Sequence, residues 1–108
     1  MSDGKVVPIQ LSPARATILI RCVAAETANV ILGDHALARM EQRSITDTEV
    51  YRILQCGDVL DVPTRTQHKE WKCKMVLKLK GNRTAGVVTI ILHNGKLFAQ
   101  TIEWEDRR

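Results

Sequence analysis

Hydrophobic and polar positions divide the chain into a first part with helical spacing and a second part with strand spacing. Over residues 13 to about 27, apolar side chains fall around most of a helix circumference. Ser12-Pro13 is a start signal, because the serine oxygen caps free amides and proline at the first helical position loses no needed donor. The β-branched Thr17, Ile18, Ile20 and Val23 keep a strand open for the same segment. Residues 30–32 form a short apolar run ending at Gly33, the pattern of an edge strand. Asp34 reads as the N-cap of a second helix to about Gln42, with Leu37 and Met40 inward. Thr46 and Glu49 make a capping box for a third helix to about Gln55. Its apolar stripe is Val50, Ile53 and Leu54, and Gly57 is placed for a left-handed C-terminal cap.

The period then changes. Trp71, Cys73, Met75, Leu77 and Leu79 alternate with Lys72, Lys74, Val76 and Lys78, which predicts a strand with one buried and one wet face. An earlier strand from Val59 to about Arg65 is interrupted by Pro63 and belongs at an edge. Gly81-Asn82 turns the chain, and residues 87–92 are apolar on both faces, as in a central strand. Asn94-Gly95 predicts a type I′ hairpin into a strand over residues 96–104. The expected architecture is α+β, with N-terminal helices packed on one face of an antiparallel sheet of about four strands. The helices should cover the Trp71 side and leave the lysine side open. Residues 1–11 lack periodicity and read as a flexible arm before one domain over residues 12–108.

Composition narrows the class. The 108 residues are 44% hydrophobic and 26% charged, a globular balance. No apolar run is long enough to span a membrane, and Asp3 and Arg21 argue against a secretory signal. Three widely spaced cysteines, Cys22, Cys56 and Cys73, point to a reducing cytoplasm rather than a disulfide framework. The formal charge of +4 is unevenly spread. Residues 64–83 carry Arg65, Lys69, Lys72, Lys74, Lys78, Lys80 and Arg83 against Glu70 alone, so the remainder is slightly acidic. Such a patch fits an anion-facing surface, although lysines on an open strand also deter aggregation.

Two groups of residues carry candidate chemistry. His35, Arg39 and Arg43 recur every four residues and line one helix face. They can grip a phosphate and move protons, or simply be solvated. Lys72, Lys74 and Lys78 project from one strand face at about 6.6 Å per two residues, a step that a nucleic-acid backbone can follow. His68 and His93 could join either group. Trp71 and Trp104 read as core anchors rather than base-stacking platforms. No zinc-ligand spacing and no glycine-rich phosphate loop occurs, so no metal or cofactor is expected and any enzyme would be metal-independent.

The segment from Leu32 to Thr46, with its His-Ala-x-x-Arg-Met helix and Arg-x-Ile break, resembles the signature of the family called domain of unknown function 4258. Gly57-Asp58-Val59, Glu70-Trp71-Lys72-Cys73 and Gly95-Lys96-Leu97 resemble it too, over about residues 25–104. That family looks like a relative of RelE-type and BrnT-type toxin nucleases, which implies a RelE-like fold, RNA as substrate and an antitoxin protein as a possible partner. Only His35, Arg39 and Lys72 fall on its motif positions. We therefore expect metal-independent cleavage of RNA through 2′-hydroxyl attack. His35 would be the acid or base, with Arg39 and Lys72 holding the phosphate and Arg43, Arg65, Lys74 and Lys78 tracking the backbone. The alternative is a nucleic-acid-binding or protein-interaction domain that uses the same basic strand without catalysis.

Overall fold

A computed structural model describes residues 10–105. The order is α1 (Pro13–Ala24), β1 (Val30–Leu32), α2 (Asp34–Arg43), α3 (Asp47–Cys56), β2 (Asp58–Val59), β3 (Thr64–Arg65), β4 (Trp71–Lys78), β5 (Thr84–Ile91) and β6 (Leu97–Trp104). The fold is α+β, as expected, but the sheet has six strands rather than about four and is mixed rather than antiparallel. Its order is β1-β6-β5-β4-β2, with β3 on the same edge of β4 as β2. β1 runs parallel to β6, and the other pairs are antiparallel. The segment around Pro63 is two short strands, and the buried proline lies between them where no ladder donor is needed. Nine of the eleven residues read as an arm lie outside the described residues; Leu11 packs against the core.

Each helix has an identifiable beginning. Ser12 accepts from the amide of Arg15 at 3.1 Å, with Pro13 next, so α1 starts where its signal stands. It ends at Ala24, three residues short of the expected end, and a 3-10 turn over Thr27–Asn29 follows. In α3 both halves of the Thr46–Glu49 capping box are made. Asp34 is not a cap: Gly33 takes that position and Asp34 is the first residue of α2. Met40 is buried as expected, but Leu37, also expected inward, is 46% exposed, and Ala36 is buried in its place.

The largest correction to the capping scheme concerns Gly57. Its φ of −81° is not left-handed. A side chain is excluded for another reason: a Cβ would lie 2.6 Å from the carbonyl oxygens of both Ile53 and Val76. The α3 carbonyls are met by α1, whose Arg21 donates from Nε to Gly57 O at 2.8 Å and from Nη2 to Cys56 O at 3.0 Å. In return, Gln55 Nε2 donates to Ala24 O at 2.9 Å, closing α1. Buried Thr17 completes the junction by accepting from the Val59 amide at 2.8 Å while donating to Pro13 O.

The core lies between the helices and one sheet face. Ile20, Val50, Ile53 and Leu54 of α1 and α3 meet Cys73, Met75, Val87, Leu97 and Ile102. Alternation therefore sends Lys72, Ile90 and Phe98 to the opposite, open face, as the pattern in β4 predicts. The β5–β6 turn is not type I′, since Gly95 has a positive φ and Asn94 does not. The Gly95 amide donates to Leu92 O and the Leu92 amide to Lys96 O, both at 2.9 Å. This is the three-residue loop with a left-handed glycine that also satisfies strand twist.

Candidate nucleic-acid interface

The open sheet face is built in rows by strand register. One row runs Thr64, Lys72, Ile90, Phe98, Ile31 across β3, β4, β5, β6 and β1. Lys72 is exposed and makes no ion pair among the described residues, while Ile90 and Phe98 are half-buried and Ile31 is 42% exposed. The row thus has a cation on one side and an aliphatic-aromatic strip beside it. Phe98 was not singled out by sequence reasoning, although its place between inward Leu97 and Ala99 marks it as outward. Its ring lies over Gly33, where a Cβ would come within 2.6 Å of Cζ, so glycine at the entrance to α2 is what gives the ring its seat.

In the next two rows along β4, the face is acidic and basic together. Lys74 Nζ stands 2.8 Å from Glu105 Oε1 and 3.5 Å from Glu103 Oε2. Gly86 makes room for this bridge: a Cβ there would meet Glu105 Oε2 at 2.7 Å and Lys74 Cδ at 3.1 Å. The Glu105 hydrogen bond, and then the attraction of both carboxylates, raises the Lys74 ammonium above its ordinary 10.5 against the opposing effect of burial. Lys74 is therefore committed within the protein. Lys78, at the end of the strand, is exposed.

The structure brings His35 and Arg39 together. Arg39 Nε donates to His35 Nε2 at 3.3 Å, and its Nη1 donates to Gln42 Oε1 at 2.8 Å, so all three share a ridge of α2. Lys72 does not join them. Three strand spacings, about 14 Å, separate the β4 line from β1, after which α2 begins. Arg43 is half-buried at the end of α2, and its carbonyl accepts from Trp104 Nε1 at 3.2 Å. The Arg65 guanidinium stacks on Trp71 with its carbon 4.3 Å from the ring centroid. Both tryptophans are half-buried and carry an arginine, Arg83 lying 4.0 Å from the Trp104 centroid, and of the two it is Trp104 that packs against the core.

A family model described as Domain of unknown function (DUF4258) matches residues 32–102. The chain belongs to that family. No curated protein and no solved structure matches it. The DUF4258 span contains Lys72, Ile90 and Phe98 of the open face, the α2 ridge and the hairpin turns, and it leaves α1, Ile31, Glu103 and Glu105 outside. A groove of about 390 Å³ on the outer side of α1, lined by Leu11, Arg15, Ile18, Leu19 and Cys22, also falls outside it.

The remaining chemistry of this DUF4258 chain is sparse. All three cysteines are free; Cys22 and Cys56 are exposed, whereas burial pushes the Cys73 thiol up to about 11. Among the described residues no group of three or more His, Cys, Asp or Glu is gathered closely enough to hold a metal. No helix among the described residues is long and apolar enough to cross a membrane.

Proposed function

We propose that this protein binds single-stranded RNA across the open face of its sheet. The observation that carries this reading is the row Lys72, Ile90, Phe98, Ile31, in which a cation without an ion pair among the described residues stands two strands from an outward phenyl ring, with Ile90 between them. An ammonium beside a phosphate releases counterions, and an aromatic face accepts any base, so such a row favours a strand without reading its sequence. The His35–Arg39 ridge lies beyond β1, two residues past the glycine that the Phe98 ring covers, and supplies a second cation for the strand as it leaves the face. The Lys74–Glu103–Glu105 bridge limits the path, because its carboxylates repel phosphates on that part of the sheet.

Fluorescence anisotropy of a labelled single-stranded RNA, measured over a range of salt, tests this. Binding should weaken steeply with salt, and Lys72→Ala should reduce the slope by about 0.7, the share of one phosphate contact. Phe98→Ala should cost about 1–3 kcal/mol with little change in slope. Loss of neither affinity nor slope in both variants would sink the reading.

Cleavage of the bound RNA by 2′-hydroxyl attack is the second reading. It is favoured by the imidazoles held on hydrogen bonds at two borders of the sheet, His35 on Arg39 and His93 on the His68 carbonyl. Incubation of RNA with the pure protein in excess chelator tests it, with 2′,3′-cyclic phosphate ends as the expected product. Intact RNA would leave binding as the whole activity.

A further inference from the structure

We propose that the outer face of α1 is a self-association surface, on which a second copy of this chain packs its own α1 antiparallel across a two-fold axis. The helix is apolar on two sides, and the fold of one copy uses only the first. Ala16, Ile20 and Ala24 are buried in the core shared with α3 and the sheet. On the far side Ile18 is 69% exposed and Leu19 40%, and with Leu11 and Cys22 they line the groove of about 390 Å³. Aliphatic side chains held in water beside an open groove mark a contact surface. α1 lies on the core side of the sheet, so a partner there leaves the open face of both copies free, whatever that face binds.

Charge selects the occupant. Residues 15, 18, 19, 22 and 26 recur at helical spacing along one stripe. Ala25 keeps helical angles, φ −55° and ψ −30°, so Glu26 continues that stripe past the last turn. The stripe has a cation at one end, Arg15, an anion at the other, Glu26, and Ile18, Leu19 and Cys22 between them. Arg15 and Glu26 are exposed, and neither makes an ion pair among the described residues. Arg21, the other cation of α1, is turned away to Gly57 and Asp58.

A stripe with opposite charges at its ends is its own complement when reversed, which is what a two-fold interface requires. With the axis passing between Ile20 and Arg21, Arg15 of each copy stands opposite Glu26 of the other, and Leu19 opposite Cys22. Parallel pairing would set Arg15 against Arg15 and Glu26 against Glu26, so only the antiparallel arrangement is attractive. The stretch from Arg15 to Glu26 is about 16 Å of helix. One such face is small beside the roughly 1,200–2,000 Å² of a stable interface, so the pair should be weak, with a dissociation constant on the order of 100 μM.

Sedimentation equilibrium of the full chain from about 10 μM to 1 mM tests this, with the mass rising from 12.2 kDa toward twice that value. Over the same range a thiol reagent should modify Cys22 freely at the low end and progressively more slowly at the high end, while Cys56 reacts at a constant rate. Ile18→Gln changes a side chain already in water in the single copy, and should weaken the pair at least about tenfold. Arg15→Glu and Glu26→Arg should each weaken it about tenfold, and the double reversal should restore it to within about twofold. Glutamate in the first turn also suits the start of α1, so loss of pairing in R15E is not loss of the helix. A chain that stays at 12.2 kDa throughout overturns the proposal. In that case Cys22 protected at every concentration gives the groove to residues 1–9 of the same chain, and Cys22 open at every concentration gives it to a different partner. A dimer that survives Ile18→Gln and both charge reversals forms elsewhere on the molecule, and it overturns the proposal too.

Discussion

Gly57 and Ser44 sit at helix ends and obey opposite constraints. At Gly57 the backbone angle is open to any residue, but two carbonyl oxygens occupy the place of a Cβ, and neither can swing aside as a side chain would. Gly57→Ala should therefore cost about 2 kcal/mol or more in urea unfolding, through forced separation of α3 from β4. At Ser44 the angles are left-handed, φ 57° and ψ 45°, on a residue that carries a Cβ. Ser44→Gly should raise stability by about 0.5–1 kcal/mol in the same measurement. Cys73 gives a third residue-scale test. Burial raises its thiol to about 11 from 9.0, so the unfolded chain releases this proton at lower pH than the folded one. Stability is then fully present below about pH 9 and falls as pH rises through 11. Cys73→Ala should show a shallower alkaline decline, and a thiol reagent at neutral pH should label Cys22 and Cys56 of the folded protein but not Cys73.

Periodicity made the elements legible, because a helix or strand writes its own spacing into adjacent residues. The capping box at Thr46, the start at Ser12-Pro13 and the alternation in β4 depend on neighbours within a few positions, and each stands where its signal lies. Apart from the local misses at Asp34, Leu37 and Asn94-Gly95, what escaped the sequence depends on distant partners. β1 pairs in parallel with β6, from residues 67 positions away, and three residues carry no mark of that choice. The same division holds at the candidate site. The His35–Arg39 contact is an i, i+4 pair and was visible, whereas the capture of Lys74 by Glu103 and Glu105 joins β4 to the end of β6. The End-capping of α3 by Arg21 is equally non-local, spanning 36 residues to Gly57. Arg21→Met keeps the stem and removes the donors, leaving the Cys56 and Gly57 carbonyls without this partner; it should cost about 1–2 kcal/mol, with amide exchange accelerated in the last turn of α3.

At the scale of the whole molecule, the formal +4 overstates how much positive charge the open face can offer a polyanion. Arg65 pairs with Trp71 on the side of the sheet opposite Lys72, Arg83 lies over Trp104, and Lys74 is held between two carboxylates. The bridge offsets its own cation and leaves that part of the face with an excess of negative charge. Neutralising the carboxylates should reverse this. In Glu103→Gln with Glu105→Gln, Lys74 loses both ionic partners and becomes available to a phosphate, and the repulsion from the two acids disappears. RNA affinity at low salt should rise, and the salt slope should steepen by about 0.7 as one phosphate contact is added. The added slope should vanish when Lys74→Ala is combined with the pair, while the affinity gained from relieved repulsion stays, which distinguishes a freed ammonium from a mere change in net charge. A protein whose face binds RNA through Lys72 alone would show the higher affinity with an unchanged slope, and the salt titration reads the two cases apart.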